Sequence, residues 1–114
     1  MSNWFAAVLE WEALKAHIGT TLSLSEPVLH VIVGLAIYLL AVPLLRARIG
    51  DWRPLIPVAL VEGANEASDI LRYWHSGWPW TAHGTVSDVL LTIVPPLALI
   101  VVVRARREHL AARG

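Results

Sequence analysis

Residues 27–45 read PVLHVIVGLAIYLLAVPLL, nineteen positions without a formal charge. An α-helix crossing a bilayer needs roughly 20 such residues. A second run, residues 85–103, is as long and carries a single charge, Asp88. Two stretches of this kind in a chain of 114 residues leave little room for a soluble fold. Composition agrees: 56% of the residues are hydrophobic and 16% charged, against roughly 45–50% and 25% in ordinary soluble domains. A small domain buries too little of its surface to hide that excess. The expectation is one all-α membrane domain over residues 1–114. It has three transmembrane helices, preceded by an amphipathic interfacial helix.

Residues 3–19 place Trp4, Phe5, Val8, Trp11, Leu14 and Ile18 near helical spacing, with Glu10, Glu12, Lys15 and His17 between them. The central charges exclude a span, and the aromatic residues suit a membrane surface, so this is read as the interfacial helix. After a polar break at 20–25, Ser25-Glu26-Pro27 reads as a helix start, with Ser as cap and Pro in the first turn. The first span is 27–45, with Pro43 near its end. Gly50-Asp51 marks a turn. The second span, 54–74, contains Glu62, Asn65, Glu66 and Asp69, and hydropathy alone would miss it. Its apolar start, LIPVALV, needs cover, and the chain must return across the membrane before the third span, 85–103. Between them, WHSGWPWTAHG packs three Trp into seven residues, resembling the aromatic belt of a membrane boundary. His75 and His83 are read there as solvated loop residues. A short polar tail follows the third span.

Orientation follows from the arginines. Arg46, Arg48 and Arg53 follow the first span, and Arg104, Arg106, Arg107 and Arg113 follow the third. Basic residues in short loops stay cytoplasmic. Three spans put both segments on that side, with the N-terminus outside and the C-terminus in the cytoplasm. Arg outnumbers Lys eight to one, the usage of a GC-rich bacterial genome, and in a bacterium the expected location is the inner membrane. The N-terminus shows no basic region and cleavage site of a removable signal. No cysteine is present, which excludes disulfides and thiolate metal sites. Arginines split between two short segments make no nucleic-acid groove, so no nucleic-acid role is expected.

Glu62, Asn65, Glu66 and Asp69 are spaced i, i+3, i+4 and i+7, on one helix face. A charge at the centre of a span costs at least ~2.5 kcal/mol, so this stripe must face protein or a wet cavity. At about 1.5 Å per residue, Glu62 lies near mid-span and Glu66 and Asp69 closer to the outer face. Arg72 lies near the boundary. His30 and Asp88 lie about one turn inside the outer ends of their own spans. The stripe, His30 and Asp88 thus define an outward-facing polar pocket. The structural alternative is a set of ion pairs, Arg72 with Asp69 or Asp88, and Asn65 as interhelical glue.

These residues resemble the VanZ-like membrane protein family. Glu26-Pro27-Val28-Leu29-His30 is similar to its acidic-then-His element, Glu62-Gly63-Ala64-Asn65 to its Glu-x-x-Gln/Asn element, and Asp88-Val89-Leu90-Leu91-Thr92 to the start of its Asp-x-x-x-Asn-x-x-Gly element. The resemblance covers residues 25–104. Thr92 stands in place of Asn, Pro95 in place of Gly and Pro27 in place of Lys, and Glu66 and Asp69 make the stripe more acidic. The resemblance implies a bacterial membrane location and a link to low-level glycopeptide resistance.

The leading expectation is a pocket formed by His30, Glu62, Asn65, Glu66, Asp69, Arg72, Asp88 and Thr92. It would bind an envelope lipid or a glycan-related ligand. The second is a membrane enzyme using Glu66 or Asp69 with His30 as an acid–base pair. There is no HExxH, GxSxG or phosphate loop. A haem anchor would need His75 or His83 as partner to His30. An oligomerising subunit, including a homo-oligomer, is the remaining alternative. No cofactor is expected. One His among several carboxylates suits a hard divalent cation, but the spacing alone is a weak signal and no metal is assigned.

Overall fold

The computed structural model describes residues 3–77 and 79–114, so Trp78 of the aromatic turn lies outside the described residues. Four helices follow one another: α1 (Asn3–Leu22), α2 (Glu26–Leu44), α3 (Leu55–Ser76) and α4 (Ala82–Arg113). The described residues contain no strand. Each helix lies close to where one is expected, α3 included, which the hydrophobic pattern alone does not reveal. α4 is the largest departure, running ten residues past the expected end of the third apolar stretch. The Arg-, Ala- and Leu-rich tail consists of strong helix formers, and nothing in it stops the helix.

Helix ends follow local chemistry. Ser25 takes the extended N-cap conformation before Glu26-Pro27, although its side chain makes no cap bond. α3 ends at Gly77, whose φ of 69° is left-handed and whose N–H donates to the Tyr73 carbonyl. The Thr81 hydroxyl caps α4 by accepting from the Gly84 N–H at 3.0 Å.

α2 packs chiefly along α4, α3 lies against both, and α1 lies against α3. The closest approach of α2 and α4 is at Gly34. A Cβ there would overlap the Thr92 carbonyl oxygen. Pro96 supplies no N–H to bond that carbonyl within α4, and the glycine lets α2 close over it. Small residues at such crossings are how membrane helices approach.

At the other end, Tyr38 is fully buried with Val58 and Ile100. Its hydroxyl donates to the Asp51 carbonyl at 2.8 Å and accepts from the Gly50 N–H at 3.0 Å. Arg104 Nε donates to the Gly50 carbonyl at 2.8 Å, and Arg107 donates to the Ile49 carbonyl. The α2–α3 loop is thus latched to the C-terminal half of α4, and the two arginine-bearing segments meet at one end of the bundle. In the same loop the Arg53 guanidinium and backbone N–H bond the Asp51 carboxylate and lower its pKa to about 2.

Polarity in the bundle is turned inside out. Buried side chains include Glu12, Glu62, Asn65, Glu66, Ser68 and Thr92, while Leu40, Leu44, Leu60, Val101 and Val102 face outward. Monomeric soluble proteins rarely present so many outward apolar side chains side by side. α2 and α4 are both long and apolar enough to cross a membrane. α3 is long enough, but its four ionisable groups take it below that level of apolarity.

Candidate functional site

A cavity of about 640 Å³ lies between the four helices, toward the end that carries the α3–α4 connection. Every one of the expected site residues except Thr92 lines it, and Thr92 is buried directly beneath, bonded to three of the lining residues.

At about 100° per residue, Glu62 and Glu66 occupy one edge of the α3 stripe and Asn65, Ser68 and Arg72 the other, with Asp69 between. The two edges face different partners. On the first, His30 Nδ1 lies 3.0 Å from Thr92 Oγ1 and 3.4 Å from Glu62 Oε2, and His30 Nε2 lies 3.5 Å from Asp88 Oδ1. Thr92 Oγ1 sits 3.0 Å from Glu62 Oε2 and 2.8 Å from the Asp88 carbonyl oxygen. A hydroxyl has one proton, so it donates to only one of these acceptors at a time while its lone pairs accept from the imidazole. Glu62 and Glu66 are each 5% exposed. One oxygen of each, Oε1, is buried without a hydrogen-bond partner.

The second edge faces α1. Asn65 Oδ1 accepts from Lys15 Nζ at 2.6 Å and from Trp11 Nε1 at 3.2 Å. Lys15 also meets Asp69 at 2.9 Å and Glu12 at 3.0 Å, and its ammonium lies 5.9 Å over the Trp11 ring. Ser68 Oγ donates to Glu12 Oε1 at 2.7 Å, and Arg72 lies 3.5 Å from Glu12 Oε2. At the far end Phe5 stacks on His75, centroids 3.7 Å apart. α1 therefore turns Glu12 and Lys15 inward and leaves Trp4 and Leu14 exposed, while Trp11 and Ile18 line the cavity. Burial alone would raise the Glu12 carboxyl, but hydrogen bonds with Asp69, Ser68 and Lys15 hold it below its ordinary value. Burial alone would lower the Lys15 ammonium, and its bonds to Asp69 and Glu12 raise it instead.

Several expectations change. Arg72 meets Glu12 on α1 at 3.5 Å, a partner the sequence did not suggest; the structural alternative had named Asp69 or Asp88. Asp69 reaches Lys15, whereas the carboxylates within 3.5 Å of His30 are Glu62 and Asp88. His75 is the penultimate residue of α3, not a loop residue. It lies thirteen residues beyond Glu62, about 20 Å along the helix, and His83 lies nine residues before Thr92, about 13 Å. Glu12, Lys15 and Ser68 belong to the polar cluster and were not anticipated. The signal for Lys15 was present: the acidic stripe needs cations, and this is the chain's single lysine.

The donor atoms of His30, Glu62 and Glu66 lie within 4.8 Å of one another, as do those of Glu66, Asp69 and Asp88, and of Glu26, His30 and Asp88. No protein-family model matches the chain, and neither the curated proteins nor the solved structures contain a match to it.

Proposed function

We propose that this is a small polytopic protein of the bacterial inner membrane whose polar cavity binds an envelope lipid or a glycan-related ligand. The single observation that carries the reading is the 640 Å³ cavity lined by ionisable side chains inside a bundle with an apolar exterior. Intramembrane ionisable groups that face a cavity mark ligand or ion sites by default. In this reading α3 is the third span, its charges turned to α1, α2 and α4, and α1 is the interfacial helix that roofs the cavity. Glu62, Glu66, Asp69 and Asp88 would meet cationic or hydroxyl groups, and Arg72 an anionic one. A VanZ-like relationship gains support from one fact: the three motif elements, separate in sequence, meet where His30, Glu62, Asp88 and Thr92 converge.

Glu62→Ala and Asp88→Ala, expressed at normal levels, are expected to sensitise cells to envelope stress or to cell-wall antibiotics. Wild-type behaviour of both variants would sink the ligand reading. Topology is tested separately. The chain has no cysteine, so single Asn3→Cys and Arg113→Cys variants report cleanly. A membrane-impermeant maleimide added to spheroplasts is expected to label the first and spare the second. The reverse pattern would invert the orientation, and equal labelling would exclude an odd number of spans.

A second reading, a membrane-embedded acid–base enzyme, draws on His30, whose two ring nitrogens lie near two different carboxylates. That geometry suits proton transfer.

A further inference from the structure

We infer that His30, Glu62 and Glu66 form a binding site for one divalent first-row transition-metal cation at the floor of the cavity. The inference stands apart from the ligand reading, since it rests on three side chains and not on what enters the cavity above them.

Three observations meet here. First, the donor set is compact: one imidazole nitrogen and two carboxylate oxygens lie within 4.8 Å of one another. Second, its spacing is long for hydrogen bonding and suitable for ligation. The 3.4 Å from His30 Nδ1 to Glu62 Oε2 is the separation of two donors about 2.1 Å from a tetrahedral ion. Third, Glu62 Oε1 and Glu66 Oε1 are buried with no hydrogen-bond partner, on residues 95% removed from solvent. An unpartnered carboxylate oxygen inside a bundle is costly, and two on adjacent turns of one helix repel each other. A divalent ion supplies both with a partner. It also neutralises the pair, because two carboxylates and a neutral imidazole sum to the charge the ion cancels.

Of the three sets of convergent donors, this one has two fully buried members. It is also the set in which both carboxylates carry an orphaned oxygen. Mixed imidazole and carboxylate donors favour manganese, iron or zinc over magnesium and calcium. Thr92 Oγ1, 3.0 Å from Glu62 Oε2, would orient that carboxylate as outer-shell partners do, while its 3.0 Å contact with His30 Nδ1 would give way to the ion.

The test uses the full chain in detergent micelles, stripped with chelator and titrated with Mn²⁺ or Zn²⁺ alone. One equivalent is expected to bind and to raise the unfolding temperature. Glu62→Gln and Glu66→Gln are each expected to weaken binding at least about tenfold with helicity unchanged. Glu10→Gln, on an exposed residue of α1, is expected to bind as the wild type does. A measurement that needs no variant stands beside these: pulsed EPR of bound Mn²⁺ is expected to show nitrogen coupling from one imidazole. Absence of stoichiometric binding would overturn the inference in favour of a proton shared between the two carboxyls. So would bound Mn²⁺ without nitrogen coupling. Full affinity in Glu62→Gln with loss in Asp69→Asn would place the ion in the Glu66–Asp69–Asp88 set, and would equally overturn it.

Discussion

Gly34→Val is expected to destabilise the bundle by about 3 kcal/mol, at the upper end of the cost of overpacking. The reason is local. Even a single carbon at this position overlaps the Thr92 carbonyl oxygen, and backbone cannot rotate out of the way as a flexible side chain can. α2 and α4 must therefore separate at the level of His30 and Thr92. The 3.0 Å contact between those residues is lost with the packing, so cavity function should fall together with stability. Gly63→Ala is the control. Gly63 also lies within a helix, but nothing is within 4 Å of its absent Cβ. Alanine there should be neutral or stabilising by up to about 1 kcal/mol. Denaturant unfolding in micelles compares the two, and equal stabilities would contradict the close-crossing account.

Lys15→Met is expected to cost about 2–4 kcal/mol and to release α1 from α3. The ammonium serves Asn65, Asp69 and Glu12 at once. Without it Glu12, 7% exposed, keeps Ser68 and the longer contact to Arg72, and Asp69 loses its close cation. Breaking a buried pair costs roughly 3–5 kcal/mol. Partial exposure of Lys15 and Asp69, about a quarter of each side chain, lowers that figure. Adding Asp69→Asn to Lys15→Met should return part of the loss, because the second change removes the stranded charge. Faster amide exchange confined to α1 would report undocking. Additive losses in the double variant would show that the pair does not hold α1 in place.

The site was largely legible because of one physical constraint. A carboxylate inside an apolar run has to face protein, so the sequence alone directs Glu62, Glu66 and Asp88 inward. His30 and Asp88 are expected about one turn inside the outer ends of their helices and Glu62 deeper, near mid-span; the structure instead brings Glu62 within 3.4 Å of His30. What was hidden was which inward neighbour each group would find. Residues 3–19 satisfy a membrane surface and a polar helical partner equally well in pattern. The choice is made by Lys15 and Glu12 against residues more than fifty positions away. The stripe on α3 also looked like one surface. Its width, from Glu66 to Ser68, is enough to serve two partners, and spacing along one helix carries no information about that division. The helical tail of α4 was missed because its charges were read as a topology signal. The same arginines are strong helix formers, and two of them bind the loop.

That last contact bears on how the chain is assembled. While α2 and α3 emerge and pair, the Gly50 and Ile49 carbonyls have no α4 arginines to receive. The loop closes only when Arg104 and Arg107 arrive, more than fifty residues later in synthesis. Tyr38 prepares the same loop from within the early hairpin by bonding Asp51 and Gly50. The C-terminal helix therefore acts as a completion mark. A chain that stops before it leaves a hairpin whose Gly50 and Ile49 carbonyls lack these partners.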